Sequence, residues 1–148
     1  MIPRLALLAA VLLACLTTGA ARAERAVVLV TNSGCPIESL SMLEVRKAYF
    51  GLLVRHEGYP VRALRLNNDD ELSLVFYQVV AAMSGKSYER RLRSMLLKYG
   101  TPRPPEFGRV DRLVTALKAT DCGIAYLWRD DAAAVDGIRE LRLLWQGD

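Results

Sequence analysis

Apolar residues fall along this chain in two rhythms. Two short stretches are continuously apolar, "AVVLVTN" from Ala26 to Asn32 and "GIAYLW" from Gly123. The first is bounded by polar residues, which suits a strand buried on both faces, and the second reads as another strand. "VRALRL" from Val61 and "IRELRLLW" from Ile138 read as two further strands. Between them the spacing turns helical. Leu72, Val75, Phe76, Val79, Val80 and Met83 recur at i, i+3, i+4, i+7, i+8 and i+11 and predict a helix over 71–83. Leu74, Tyr77 and Ala81 widen its apolar surface. Ser41 followed by Glu44 predicts a capped helix running to about Phe50, with Gly51 as its stop. A third helix is expected after Ser87, with Tyr88, Leu92, Met95, Leu96 and Tyr99 on its core face and Gly100 at its end. Val110, Leu113, Val114 and Leu117 mark a short fourth one. "RHEGYP" reads as a turn and "TPRPPEFG" as a proline-rich loop without regular structure. Strands alternating with helices predict an α/β domain with a mixed, mostly parallel sheet flanked by helices.

The first residues follow neither rhythm. Arg4 precedes the apolar "LALLAAVLLACL", and Ala21-Arg22-Ala23 is a small-x-small cleavage signal. Residues 1–23 are expected to be a signal peptide, leaving a domain of residues 24–148 that begins near Glu24 and is exported to the periplasm. A rival cut is open at "LLAC", where Cys15 would be lipidated as in a bacterial lipoprotein. No internal repeat is present, and the remainder is the length of one ordinary domain.

Export also changes the charge. The whole chain carries 20 basic and 16 acidic residues, for a formal net charge of +4. Removing residues 1–23 takes away Arg4 and Arg22 and leaves about +2. That is weak support for a polyanion, and an exported protein would not normally meet nucleic acid. Two cysteines remain, Cys35 and Cys122. An even count in an exported protein suggests one disulfide; two free buried thiols are the other reading. Neither cysteine belongs to a Cys-x-x-Cys pair, and His56 is the only histidine. No metal site or cofactor is expected. There is no Gly-x-Ser-x-Gly and no nucleophile that pairs with a base, so no enzyme is expected either. His56 reads as a surface residue. Arg90, Arg91 and Arg93 read as the solvated side of their helix, although they could meet anionic lipid or an acidic partner. Trp128 and Trp145 end strands.

Several stretches together resemble one family. "PIESLSMLEVRKAYFG" is similar to the Pro-x-x-x-Leu-Ser-x-x-x-Leu-Arg-x-x-Phe-x-Gly segment of phosphate-type ABC transporter substrate-binding proteins. "TALKATDCGIAYLW" resembles their Val-Ala-x-Thr-x-Gly-Ala-Ile-Gly-Tyr segment, and "VRALRLNNDDELSLVF" stands where they have a strand, an anion loop and a helix. The resemblance covers nearly the whole exported chain in the right order. It implies a type II periplasmic-binding-protein fold, at the length of one of the family's two lobes. It also implies a small polar solute as ligand and an ABC transporter permease or membrane receptor as partner. A lone lobe exposes the surface a second lobe would cover, so a homodimer or a docking partner is a further expectation. In the family fold the first strand runs antiparallel to its neighbours. If "GIAYL" is such a neighbour, Cys35 and Cys122 share one edge of the sheet.

The loop departs from the family. Where it resembles Arg-x-x-Gly-Ser, this chain has "LRLNNDD", Leu64 to Asp70. Glycine lets backbone approach a phosphate, the hydroxyl donates to it and the arginine pairs with its charge. Here Asp69 and Asp70 stand where Gly and Ser belong, and Arg65 lies one step from the arginine position. Each carboxylate within about 5 Å of a phosphate would oppose it by about 3 kcal/mol at an effective dielectric near 20. Three readings follow. Asn68 or Asp69 caps the helix while Asp70 and Glu71 favour its positive end. Alternatively Asn67, Asn68, Asp69 and Asp70 bind a polar or cationic solute. In the third, Arg65 and the helix N–H groups still hold phosphate.

Overall fold

The computed structural model describes residues 25–147. The expected signal peptide and the Cys15 lipid site lie outside the described residues. Among the described residues seven strands and five α-helices follow one another in chain order. They are β1 (Ala26–Asn32), α1 (Met42–Tyr49), β2 (Val54–His56), β3 (Tyr59–Ala63), β4 (Arg65–Leu66) and α2 (Asp70–Val75), which runs on into a π-helical segment, Phe76–Ala81. Then come α3 (Gly85–Tyr99), β5 (Glu106–Phe107), α4 (Val110–Lys118), β6 (Gly123–Trp128), α5 (Arg129–Ala133) and β7 (Ile138–Gln146). Among the described residues no helix is long and apolar enough to cross a membrane.

The two continuously apolar runs are the middle of the structure. β1 and β6 pair antiparallel, and nearly every residue in both is buried. The order of the main sheet is β2-β3-β6-β1-β7. β3, β6 and β7 run one way, and β1 and β2 run the other. The sheet is mixed, as expected, but only the β3–β6 pair of neighbours is parallel. The shortfall arises because β1 inserts between β6 and β7, and because β2 and β3 form a hairpin. That hairpin corrects the reading of "RHEGYP" as a turn alone. Arg55 and His56 are strand, and only Glu57 and Gly58 turn, both at positive φ.

β7 is an edge strand whose nine residues face the seven of β1 across two register shifts. Each shift adds a residue on the β7 side, so its exposure repeats every three residues instead of every two. Such bulges, with Arg139, Glu140 and Arg142 along the strand, make the edge a poor template for pairing.

α1 has its full capping box: Ser41 Oγ accepts from the Glu44 N–H, and the Glu44 carboxylate accepts from the Ser41 N–H at 2.7 Å. It ends at Gly51, whose φ of 78° suits glycine and where a Cβ would meet the Pro102 carbonyl oxygen. The expected helix over 71–83 is α-helical only to Val75. From Phe76 the winding widens, and Ala82 in the left-handed region ends it. Arg46 Nε donates to the Val80 carbonyl at 2.7 Å, which supplies a partner where the regular ladder is broken. The next helix starts earlier than expected. Ser84 is the cap, and Ser87 supplies the N–H that bonds to its hydroxyl. Tyr88 and Leu92 are core, whereas Leu96 and Tyr99 are exposed, so the expected core face holds for only two turns.

The proline-rich segment is not wholly irregular: Glu106 and Phe107 pair parallel with Arg65 and Leu66. The chain changes sheets at Leu64. Its N–H still bonds the β6 residue Ile124, while Arg65 and Asn67 bond to Pro105 and Phe107. The hydroxyls of Tyr49 and Tyr126 donate to the carbonyls of Leu64 and Leu66, at 3.0 and 3.1 Å. α5 had no counterpart in the sequence reading.

Cys35 and Cys122 form a disulfide, with Cα atoms 4.9 Å apart. The antiparallel pairing of Thr31 with Ile124 brings the end of β1 and the start of β6 to one edge, where both cysteines are buried.

Candidate functional site

The loop between β4 and α2 was the candidate site, and its residues have separate fates. Asp69 is the N-cap of α2. Its Oδ1 accepts from the N–H groups of Glu71 and Leu72, at 2.9 and 3.2 Å. Its Oδ2 accepts from the indole N–H of Trp128 at 2.7 Å. The Trp128 bond, more than the helix N–H groups, holds the Asp69 carboxyl below its ordinary range, against a partial opposition from burial. Both oxygens are therefore engaged, and the first free N–H groups of α2 already face an anion that belongs to the chain. Asn67, Asn68, Asp70 and Glu71 are exposed. Glu71 receives the Arg25 guanidinium at 2.5 Å, and that guanidinium lies 3.9 Å from the centroid of the Trp128 ring. Trp145 meets Trp128 edge-on at 6.2 Å.

Arg65 is turned away from this loop. Its side chain is 3% exposed and bonds Glu89 and the Tyr77 hydroxyl, each at 3.2 Å, with Glu106 at 3.4 Å. The guanidinium lies 4.8 Å from the Tyr88 ring centroid and 5.1 Å from that of Phe76. Burial opposes its charge, but Tyr126, Tyr88 and Glu106 outweigh that and raise its pKa. Arg103 bonds the second oxygen of Glu89. Burial works against the Glu89 charge, and hydrogen bonds from Arg103 and Arg65 overcome it, so its pKa falls. Burial pushes the Tyr126 phenol up to about 12. This knot of Arg65, Glu89, Glu106 and Arg103 ties β4, α3 and β5 together inside a cage of aromatic rings. It is compensated in charge; Arg65 is closed to solvent, while Glu89, Glu106 and Arg103 are each about a third exposed.

The structure thus does not bring Arg65 together with the four loop residues. The partners sequence reasoning missed are Trp128, Arg25, Glu89 and Glu106. All lie far along the chain from the residue they bind, so no local spacing could show them. His56 was also misplaced as free surface. Its Nδ1 lies 2.9 Å from the Glu44 carboxylate, half-buried, and that bond raises the His56 pKa and lowers that of Glu44. No cluster of potential metal ligands occurs among the described residues.

Two grooves border these elements. One of about 430 Å³ runs between Leu52, Leu53, Arg62 and Pro102, Arg103, Pro104 and Pro105. A smaller one of about 170 Å³ lies beside Arg25, Trp128, Asp130 and Asp131.

Comparison of the whole fold with solved structures finds PstS from Borrelia burgdorferi at a TM-score of 0.58 and 11% identity. The match covers 80% of this chain and 47% of that one. A possible phosphate binding protein from Planctomyces limnophilus matches at 0.56 and 14% identity, over 80% of this chain and 41% of that one. An ABC-type phosphate transport receptor from Vibrio cholerae matches at 0.55 and 8% identity, over 80% and 46%. The fold is that of one lobe of a phosphate-type substrate-binding protein. The chain spans less than half the length of each of these three structures. No protein-family model matches the sequence, and no curated protein matches it. At such identities the likeness is one of fold.

Proposed function

We propose that this chain is an exported, non-enzymatic solute-binding or sensing domain of a transport-related system, with its phosphate position altered. The observation that carries the reading is Asp69. Its carboxylate takes up the α2 N–H groups that a bound anion would need, while Arg65 is spent on Glu89 and Glu106. The exposed groups left at the loop are Asn67, Asn68 and Asp70, a set suited to a polar or cationic solute. An ABC transporter permease or a membrane receptor is the partner that fits such a lobe. The disulfide suits an extracytoplasmic setting, where thiols are not kept reduced.

A thermal-shift screen of phosphate, sulfate, amino acids, polyamines and metal ions tests this. A ligand at a hundred times its dissociation constant adds about 2.7 kcal/mol of stability. Phosphate and sulfate should add nothing. A stabilising cationic or polar solute should lose its effect in Asp70→Asn. Submicromolar phosphate binding would overturn the reading.

A second reading is favoured by the closure of both charged groups: a protein-interaction module that keeps the fold without a solute. It predicts that no compound in the screen stabilises the chain, and that Asp70→Asn is silent.

A further inference from the structure

The charge of this domain is not spread over it. Residues 25–147 contain 18 basic and 14 acidic side chains, a balance of +4. α3 alone holds five basic residues, Lys86, Arg90, Arg91, Arg93 and Lys98, and one acidic residue, Glu89. Every other described element and loop together holds 13 of each sign. The one acid of α3 does not offset its neighbours, because Glu89 is turned inward to Arg65 and Arg103. None of the five bases has a carboxylate partner among the described residues; Arg91 instead lies over the Phe50 ring at 5.2 Å.

The bases also lie in register. Lys86, Arg90, Arg93 and Leu97 recur at i, i+4, i+7 and i+11, one stripe along the outer face. That stripe is about 17 Å long at 1.5 Å per residue. Arg90, Arg91 and Lys98 border a shallow groove of about 460 Å³ on the flank of the helix, with Met83, Met95 and Tyr99. At the C-terminal end of the helix the apolar residues point outward. Leu97 is 85% exposed and Tyr99 74% exposed. Nothing in the fold explains these two, since the core face of α3 is complete with Tyr88 and Leu92.

We infer that α3 is a docking surface for an anionic lipid bilayer. Lys86, Arg90 and Arg93 are exposed along one face of the helix; Arg90 borders the flank groove, and Lys86 and Arg93 stand outside it, so the stripe offers no single enclosed seat. An acidic peptide would gain little specific geometry there, whereas a flat, diffuse negative surface meets Lys86, Arg90 and Arg93 at once. Leu97, on the same stripe as the bases, then enters the headgroup region at one end, as apolar residues do in interfacial helices. This inference does not depend on which solute, if any, occupies the Asn67–Asp70 loop.

Co-sedimentation with vesicles decides it. The chain from Glu24 onward is used, because the apolar residues 5–16 would themselves partition into lipid; circular dichroism confirms its fold first. Phosphatidylglycerol-containing vesicles should retain it and pure phosphatidylcholine vesicles should not, with retention falling as salt rises. Each base near an anionic bilayer is worth roughly five-fold in partition. Lys86→Gln/Arg90→Gln/Arg93→Gln should therefore lose about 100-fold. Leu97→Gln should lose several-fold at unchanged charge. Lys47→Gln/Arg112→Gln, which removes two exposed bases elsewhere, should change retention far less. Equal retention on neutral and anionic vesicles, or a triple variant that still binds, overturns the inference. So does binding of a polyglutamate peptide with no retention on vesicles.

Discussion

Replacing Asp69 with alanine removes one side chain that serves two elements. At α2 it deletes the N-cap and leaves the N–H groups of Glu71 and Leu72 without the acceptor they share. Loss of such a cap costs about 1 kcal/mol. At β6 it strips the Trp128 indole N–H of a 2.7 Å bond to a charged oxygen. A donor left without a partner costs about 1–3 kcal/mol, and the half-buried position of Asp69, which lets water in, favours the lower end. The two parts sum to about 2–3 kcal/mol. Urea denaturation near neutral pH, with Asp69→Ala against the wild-type chain, reads this directly as a lower midpoint at unchanged slope.

A second measurement separates the ionised cap from mere packing. The Asp69 carboxyl is held below its ordinary value of 3.8, chiefly by the Trp128 bond. A carboxyl whose folded pKa is depressed contributes stability that is complete above the unfolded value. That contribution is lost as pH falls through the folded one. The gap between wild type and Asp69→Ala should therefore be full near neutral pH and shrink as pH drops below about 3.8. A loss under about 0.5 kcal/mol, or a gap that stays constant into acid, would refute the reasoning that this carboxylate is the helix's own anion.

Other outcomes follow from the same contacts. Thiol titration of the unfolded, unreduced chain from Glu24 should find no free thiols. Cys35→Ser/Cys122→Ser should lose roughly 4–5 kcal/mol, the chain-entropy value for a loop of 88 residues, as read by chemical denaturation. Arg65→Ala breaks a buried pair and leaves Glu89 and Glu106 short of a cation, so it should lose about 3–5 kcal/mol; Arg65→Met, which keeps the cage filled, should lose less. His56 should titrate by NMR above its ordinary 6.5, because Glu44 stabilises its charged form. Its pairing then helps stability below the unfolded value and is lost as pH rises through the folded one, and Glu44→Gln should return the titration toward 6.5.

The parts of this protein that its sequence determined are those set by near neighbours. A continuous apolar run specified β1, because a strand covered on both faces must be apolar at nearly every position, and β6 was legible as a strand. The spacing of Ser41 and Glu44 specified the start of α1, because both members of a capping box lie within one turn. Asp69 was legible as a candidate cap of the helix that follows, because a cap and the N–H groups it meets lie within one turn. Tertiary structure decided what depends on distant partners. Arg65 lies four residues from Asp69 and shares none of its partners; the switch from β6 to β5 pairing at Leu64 sends it under α3, where Glu89 and aromatic rings enclose it. Trp128 could be recognised as a strand end, but only the insertion of β1 beside β6 and the return of the Asp69 loop place its indole against that carboxylate. The helical spacing ran on past Val75 because an apolar face looks alike in α and π winding. Where the winding widens, the Val80 carbonyl accepts from Arg46, which reaches it from another helix. Local free-energy preferences act over a few residues and are written in order along the chain. The contacts that made a closed knot of one candidate residue and a self-occupied cap of another span up to 59 residues, and they exist only once the sheet is assembled.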